Sequence, residues 1–326
     1  MFHVLRRMAD AGHAIIFITH KLDEVMAIAD GITVLRKGRV VAALSKGESD
    51  QKGLARLMVG REIGGGSRGE GQHAPGEAVL MVSNLWARND RHRPALRGIS
   101  FSVHQREILG VAGVAGNGQR ELIEVLTGLR QPLSGLVAVC GRNMTGASAR
   151  DLFEAGVAHI PEERRRRGIV PGMSVAENLV LRRYRKPPFA KGPLLDLRAV
   201  IEFAERTVAA YGIDTTSPHA AAQVLSGGNL QRLILARELS SSPRLLIASH
   251  PTHGLDIGAT DQIHELLVQQ RDQGAALLLI SEDLEEIFRL ADRIMVLYAG
   301  EVRGILHVAD VEPEGIGMMM AGADRG

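Results

Sequence analysis

The sequence predicts an α/β fold with a parallel central sheet. Two stretches of the chain each read as helix, buried strand, helix, strand, and a third runs from an apolar strand through a glycine loop into a helix. The paired stretches come from an internal repeat. Gly12 to Val40 (GHAIIFITHKLDEVMAIADGITVLRKGRV) lies without a gap over Gly274 to Val302 (GAALLLISEDLEEIFRLADRIMVLYAGEV), 262 residues later, with 12 of 29 positions identical.

Within the repeat, the buried strands are expected at Ile15 to Thr19 and at Leu277 to Ser281, and the start MFHVLRRMADAGH alternates charged and apolar residues as an amphipathic helix does. The same offset carries Met58 onto Met320 and Gly60 onto Gly322, so both copies end alike. The second copy reads as whole from about Val79 to Gly322, whereas only the last 60 or so residues of the first are in the chain. The opening three quarters of that copy would lie before Met1. A strand such as AIIFIT without its sheet neighbours exposes unpaired edges, so this part is expected to need a partner. Gly64 to Pro75 (GGGSRGEGQHAP) has linker composition. The expected division is therefore 1–63 for the end of the first copy, 64–77 for the linker and 78–326 for the second copy.

Composition narrows the function classes. With 326 residues, 45% of them apolar, the chain can fill a sizeable core. Its 39 basic and 37 acidic residues nearly cancel, and aromatics make up 3%, so neither a global field nor a stacking platform for nucleic acid is expected. The single cysteine, Cys140, offers no internal disulfide and no zinc ligand set. No apolar run approaches the ~20 residues that span a bilayer.

The strand EILGVAG runs into Gly113-Val-Ala-Gly116-Asn117-Gly118-Gln119-Arg120 and then the helical ELIEVLTGL. Backbone N–H groups at such a strand–loop–helix junction can cradle phosphate oxygens. The spacing follows the phosphate-binding pattern G-x-x-x-x-G-K-S/T to its sixth residue, after which Gln119 replaces the lysine and Arg120 the hydroxyl that would hold Mg²⁺. Alone, this loop reads equally as a phosphate site or as a tight strand-to-helix turn. A dinucleotide fingerprint fits worse, because Glu121 stands in place of the third glycine.

Further along, Leu225-Ser226-Gly227-Gly228-Asn229 precedes the helical LQRLILAREL, the strand Leu245 to Ser249 follows, and then His250-Pro-Thr-His-Gly254-Leu255-Asp256. This order of glycine loop, LSGG signature, strand and D-loop closely resembles the ATP-binding-cassette (ABC) family over nearly the whole chain. HIPEERRRRGIV, MSVAENL, YRKPPF and LSGGNLQR are most similar to the tandem ATPases of simple-sugar and nucleoside importers, with the purine-nucleoside branch favoured.

The resemblance implies a P-loop NTPase-type ABC nucleotide-binding domain: parallel core sheet, antiparallel β portion and helical signature subdomain. It also implies ATP with Mg²⁺ as cofactors, transmembrane permease subunits and a substrate-binding protein as partners, another ABC cassette opposite, and a peripheral place on the cytoplasmic face of the cell membrane. In that family an aspartate ends the Walker B strand, a glutamate follows as base, and a switch histidine contacts the γ-phosphate. Here those positions hold Ser249, His250 and Glu282, and Glu162 stands where a glutamine senses Mg²⁺ and the permease.

With Gln119 and Arg120 this makes six departures in one ATP site. Loss of a general base alone costs roughly 10²–10⁴-fold, so negligible hydrolysis is expected there. Taken singly, Ser249 or His250 reads as an ordinary strand-end residue; together, the losses fall on one site. What stays intact serves the other site: Ser226 with the Gly227 and Gly228 amides would face nucleotide held by the first copy, whose switch histidine is His20. Two alternatives accompany importer subunit as the expected function: a non-hydrolytic regulatory half and an inactive truncated product. The basic runs Arg164 to Arg167 and Arg182, Arg183, Arg185, Lys186 read as solvated charge, the first near the permease-facing surface by resemblance; Met318 to Met320 reads as terminal-helix packing.

Overall fold

The computed structural model describes residues 2–19, 22–36, 39–45, 47–50, 53, 54, 57 and 76–322. The chain divides into two units, Met1–Ser67 with Leu255–Gln262 and Arg68–Gly254 with Ile263–Gly326. His20, Met58, Gly60 and the stretch Gly64 to Pro75 lie outside the described residues.

The first unit holds helices α1 (Phe2–Asp10) and α2 (Leu22–Ile28) and an antiparallel hairpin of β1 (Gly31–Arg36) and β2 (Arg39–Ser45), with a register shift between Val34 and Leu35. The strand expected at Ile15 to Thr19 does not form. Those residues have no regular structure, and Ile16 and Ile18 are 92% and 91% exposed. The reason is visible in the equivalent strand of the second unit, β12 (Ala276–Ile280), which is hydrogen-bonded in parallel to a neighbour on each side. A strand makes no hydrogen bonds within itself, so without neighbours the same apolar pattern gains nothing by extending. Among the described residues, the first unit's only strands are those of the hairpin.

Between Leu22 and Ser45 the repeat holds element for element among the described residues. The pairs α2 and α9 (Leu284–Leu290), β1 and β13 (Arg293–Tyr298), and β2 and β14 (Glu301–His307) keep the 262-residue offset, and the second hairpin is shifted between Val296 and Leu297, the counterparts of Val34 and Leu35.

The second unit has two sheets. The larger runs β14-β13-β5-β12-β11-β8, where β5 is Ile108–Ala112, β8 Val157–Ile160 and β11 Leu245–Ser249; all but the edge strand β14 are parallel. Strands β5, β11 and β12 are buried at every residue, as apolar runs covered on both faces must be. The smaller, antiparallel sheet runs β4-β3-β6-β7, from β3 (Ala78–Arg88), β4 (Pro94–His104), β6 (Ser134–Val139) and β7 (Arg142–Asn143). Its apolar face and α3 (Gln119–Leu126) share one core with the larger sheet.

Helices α5 (Val175–Val180), α6 (Leu197–Tyr211) and α7 (Gly227–Leu239) pack on one another as a helical block. Short α4 (Ala149–Glu154) precedes β8, and the two-residue strands β9 (Ala190–Lys191) and β10 (Leu194–Leu195) precede α6. Helix α8 (Ile257–Asp272) leads into β12, and α10 (Pro313–Met320) closes the chain with Met319 buried and Met318 exposed. The expected parallel core, antiparallel portion and helical subdomain are all present. Among the described residues no helix is long and apolar enough to cross a membrane.

Candidate nucleotide site

In the larger sheet β5, β12, β11 and β8 are adjacent and parallel, so their carboxyl ends share one edge. That edge gathers the glycine loop after β5, Glu162 after β8, Ser249 and His250 at the end of β11, and Glu282 after β12. Open parallel sheets bind ligands at this edge, because the loops there diverge.

The glycine loop is shaped by its backbone. Gly116 and Gly118 have φ of +89° and +108°, and a side chain on Gly118 would place its Cβ 2.7 Å from the Ala95 carbonyl oxygen. Asn117 ties the loop to the β13–β14 turn, its Oδ1 accepting from the Ala299 amide at 2.8 Å and its carbonyl from the Gly300 amide at 3.0 Å.

Gln119 opens α3 and is 9% exposed. Its Nε2 donates to the Val114 carbonyl at 3.0 Å and lies 2.6 Å from where a Cβ on Gly113 would sit, so the amide lies across the mouth of its own loop. Arg120 turns away from the loop, donating from Nε to Glu124 at 2.9 Å and pairing through Nη2 with Asp90 at 3.1 Å. Glu124 also receives Arg130 at 2.7 Å and Arg167 at 3.2 Å. Burial would raise its carboxyl; Arg120, Arg130 and Arg167 outweigh that and hold it below the usual carboxylate range.

Ser249 is buried, and His250 takes a left-handed φ of 44° with its amide bonded to the Ile280 carbonyl at 2.8 Å. Behind this turn lies a polar cluster the sequence reading missed. Thr252 Oγ1 donates to Glu286 Oε1 at 2.6 Å, His264 Nε2 lies 3.0 Å from the same oxygen, and Gln231 Nε2 donates to the Pro251 carbonyl at 2.6 Å. A signal existed: Glu286 is one of the repeat's identical positions, and its counterpart Glu24 accepts from Thr19 Oγ1 at 2.8 Å. Thr252, His264 and Gln231 carry no such mark.

Glu162 and Glu282 are exposed. The signature forms the start of α7: Leu225 is buried, Ser226 is the N-cap, and its Oγ accepts from the Asn229 amide at 3.4 Å and from Asn229 Nδ2 at 3.1 Å. Ser226 and Gly227 are exposed, which leaves the first-turn amides open to a ligand. Gly254, at φ 66°, and Leu255 lead to Asp256, which caps α8 by accepting from the Ala259 amide at 2.8 Å.

The donor set at the sheet edge does not fit Mg²⁺. Arg120 is a guanidinium already paired with Glu124 and Asp90, Ser249 offers only a buried neutral hydroxyl, and no group of three or more His, Cys, Asp or Glu among the described residues could hold a metal ion.

Of the run read as solvated charge, Arg165, Arg166 and Arg167 are exposed and Arg164 only partly so, yet all four are tied to other groups. Arg164 donates to the His253 carbonyl, Arg165 to the Gln223 and Leu225 carbonyls, and Arg167 to Glu124, while both Arg166 and Arg167 also pair with exposed Glu163. In the second run, Arg182 pairs with buried Glu238 and lies over the Phe153 ring.

Residues 96–253 match the family model described as "ABC transporter", and the chain carries an ABC transporter ATPase domain. The chain is 44% identical over 326 residues to the glucose import ATP-binding protein TsgD13 of Haloferax volcanii, covering 99% of this chain and 59% of that protein. It is 38% identical to the nucleoside import ATP-binding protein NupA of Lactococcus lactis (99% and 64%) and 38% identical to the guanosine import ATP-binding protein NupO of Bacillus subtilis (100% and 64%). The chain thus spans about three fifths of the length of these curated relatives. In fold it is similar to the ADP conformation of MJ1267, an ATP-binding cassette of an ABC transporter, with TM-score 0.58, 20% identity, and 75% and 95% of the two chains covered. A dimeric bacterial ABC transporter cassette, MJ0796, gives 0.60 at 19% identity, covering 70% and 98%.

Proposed function

We infer that this chain serves as ATP-binding machinery of an ABC importer for a nucleoside or simple sugar, working on the cytoplasmic face of the cell membrane. Its 78–326 cassette would act as the non-hydrolytic side of a pair. The names of the relatives support the transport class, and nucleoside and sugar both appear among them. On this reading residues 1–63 are the closing part of a first cassette and 64–77 the linker, and permease subunits and a substrate-binding protein complete the assembly.

The observation that carries the reading is the contrast between two sets of residues. Ser226, Gly227 and Gly228 present an open helix start suited to the γ-phosphate of ATP held by another cassette. At the chain's own loop, Gln119 donates inward to Val114, Arg120 is drawn off to Glu124 and Asp90, and Ser249 and His250 supply neither a metal ligand nor a carboxylate base. Hydrolysis therefore belongs to the consensus partner, where Mg²⁺ and His20 of the first cassette would act.

The test is Ser226→Ala in the assembled transporter. Its ATP turnover should fall at least tenfold, whereas His250→Ala should leave it unchanged. Equal losses from both substitutions would refute the division of roles.

A further inference from the structure

The Arg164–Gly168 turn joins three parts of the cassette that its sequence does not obviously connect. It begins after Glu163, and the carbonyl of Glu162, one residue earlier, accepts from the Arg164 amide at 3.0 Å. It ends against the signature helix: Arg237 Nη1, on buried α7, donates to the Gly168 carbonyl at 2.7 Å, and a Cβ on Gly168 would lie 2.4 Å from Ile234 Cδ1. The turn is thereby fixed to the second half of α7, about two to three helical turns beyond Ser226.

From that anchor three arginines reach out. Arg165 donates from Nη1 to Gln223 at 3.2 Å and from Nη2 to Leu225 at 3.4 Å, both carbonyls of the loop that delivers Ser226. Arg164 donates to the His253 carbonyl in the turn after β11, and its Nη1 would lie 3.7 Å from a Cβ on Gly227. Arg167 reaches Glu124 on α3, the helix that starts from the glycine loop and carries Arg120.

We propose that this arginine turn is the brace that sets the signature serine against the nucleotide-side elements, with Arg165 the positioning residue for Ser226. A planar guanidinium suits the task because its separated N–H donors address two carbonyls at once, which the single ammonium of lysine does less well. The proposal rests on the role given to Ser226 above and adds what holds that serine in place. It also accounts for where the run's donors go: Arg164, Arg165 and Arg167 each reach a different element, while Arg166 pairs with Glu163 beside the turn.

Amide hydrogen exchange of the full chain without nucleotide tests the brace. Arg165→Gln should speed exchange at the Leu225, Asn229 and Leu230 amides about threefold to tenfold, the factor that corresponds to one or two hydrogen bonds. Arg165→Lys should recover less than half of that effect. Arg166→Gln, changed on the exposed side of the same turn, should leave those amides alone, and amides of β11 and β12 should stay unchanged in all three variants. A response of Arg165→Gln no larger than that of Arg166→Gln, or a uniform rise across the whole unit, would overturn the proposal. Because no nucleotide is present, the outcome is independent of the transport reading: local loosening in Arg165→Gln beside a harmless Ser226→Ala in the assembled ATPase would sink that reading and leave the brace standing.

Discussion

Gln119 Nε2 donates to the carbonyl of Val114 at 3.0 Å, closing the glycine loop on itself with a neutral amide. A lysine there would bring a charge-assisted bond to phosphate, worth roughly 1.5–3 kcal/mol. Gln119→Lys should therefore tighten binding of a non-hydrolysable ATP analogue by about tenfold or more, read by titration calorimetry. Turnover should remain at background, because Ser249 and His250 are untouched.

Ser226 caps α7 through Oγ, and the helix carries buried residues from Leu230 to Leu239. Ser226→Ala removes that cap and should lower stability by about 1 kcal/mol. Urea unfolding should show it as a lower midpoint with an unchanged slope. Asn229→Ala keeps the backbone amide that Ser226 caps but removes the Nδ2 bond to Ser226 and the Oδ1 bond from the Asp214 amide at 3.0 Å, so its loss should be of similar size.

His159 on β8 is held neutral. Burial drives its pKa from 6.5 to about 4, with Glu238 opposing and Arg182 and Arg237 reinforcing the drop. Its Nε2 has no hydrogen-bond partner. In the window between about 4 and 6.5 the unfolded chain binds the proton that the folded chain refuses, so stability is full above 6.5 and is lost as pH falls towards 4. His159→Leu should flatten that part of the stability–pH curve measured by chemical unfolding.

The fold was legible where local pattern and tertiary environment agree. Strands β5, β11 and β12 are continuous apolar runs because both faces are covered, and the glycines at 116 and 118 mark a backbone only glycine adopts easily. The same pattern failed at Ile15 to Thr19, since a parallel strand is made by its neighbours and not by its own residues. The site was legible in its motifs but not in its supports. Arg167 meets Glu124 across 43 positions, and Thr252 meets Glu286 across 34, distances at which sequence spacing carries no contact signal.

Exposed Ile16 and Ile18 give that failure a consequence. Apolar side chains beside unpaired backbone invite association between chains. Replacing both with lysine should lower the aggregated fraction in light scattering without altering the exchange-protected core of the second unit.

Phosphate release by the purified 326-residue chain in Mg·ATP examines the non-hydrolytic assignment most directly. A rate indistinguishable from buffer, unchanged in His250→Ala, is the predicted result. Sustained release that His250→Ala or Gln119→Ala abolishes would contradict it.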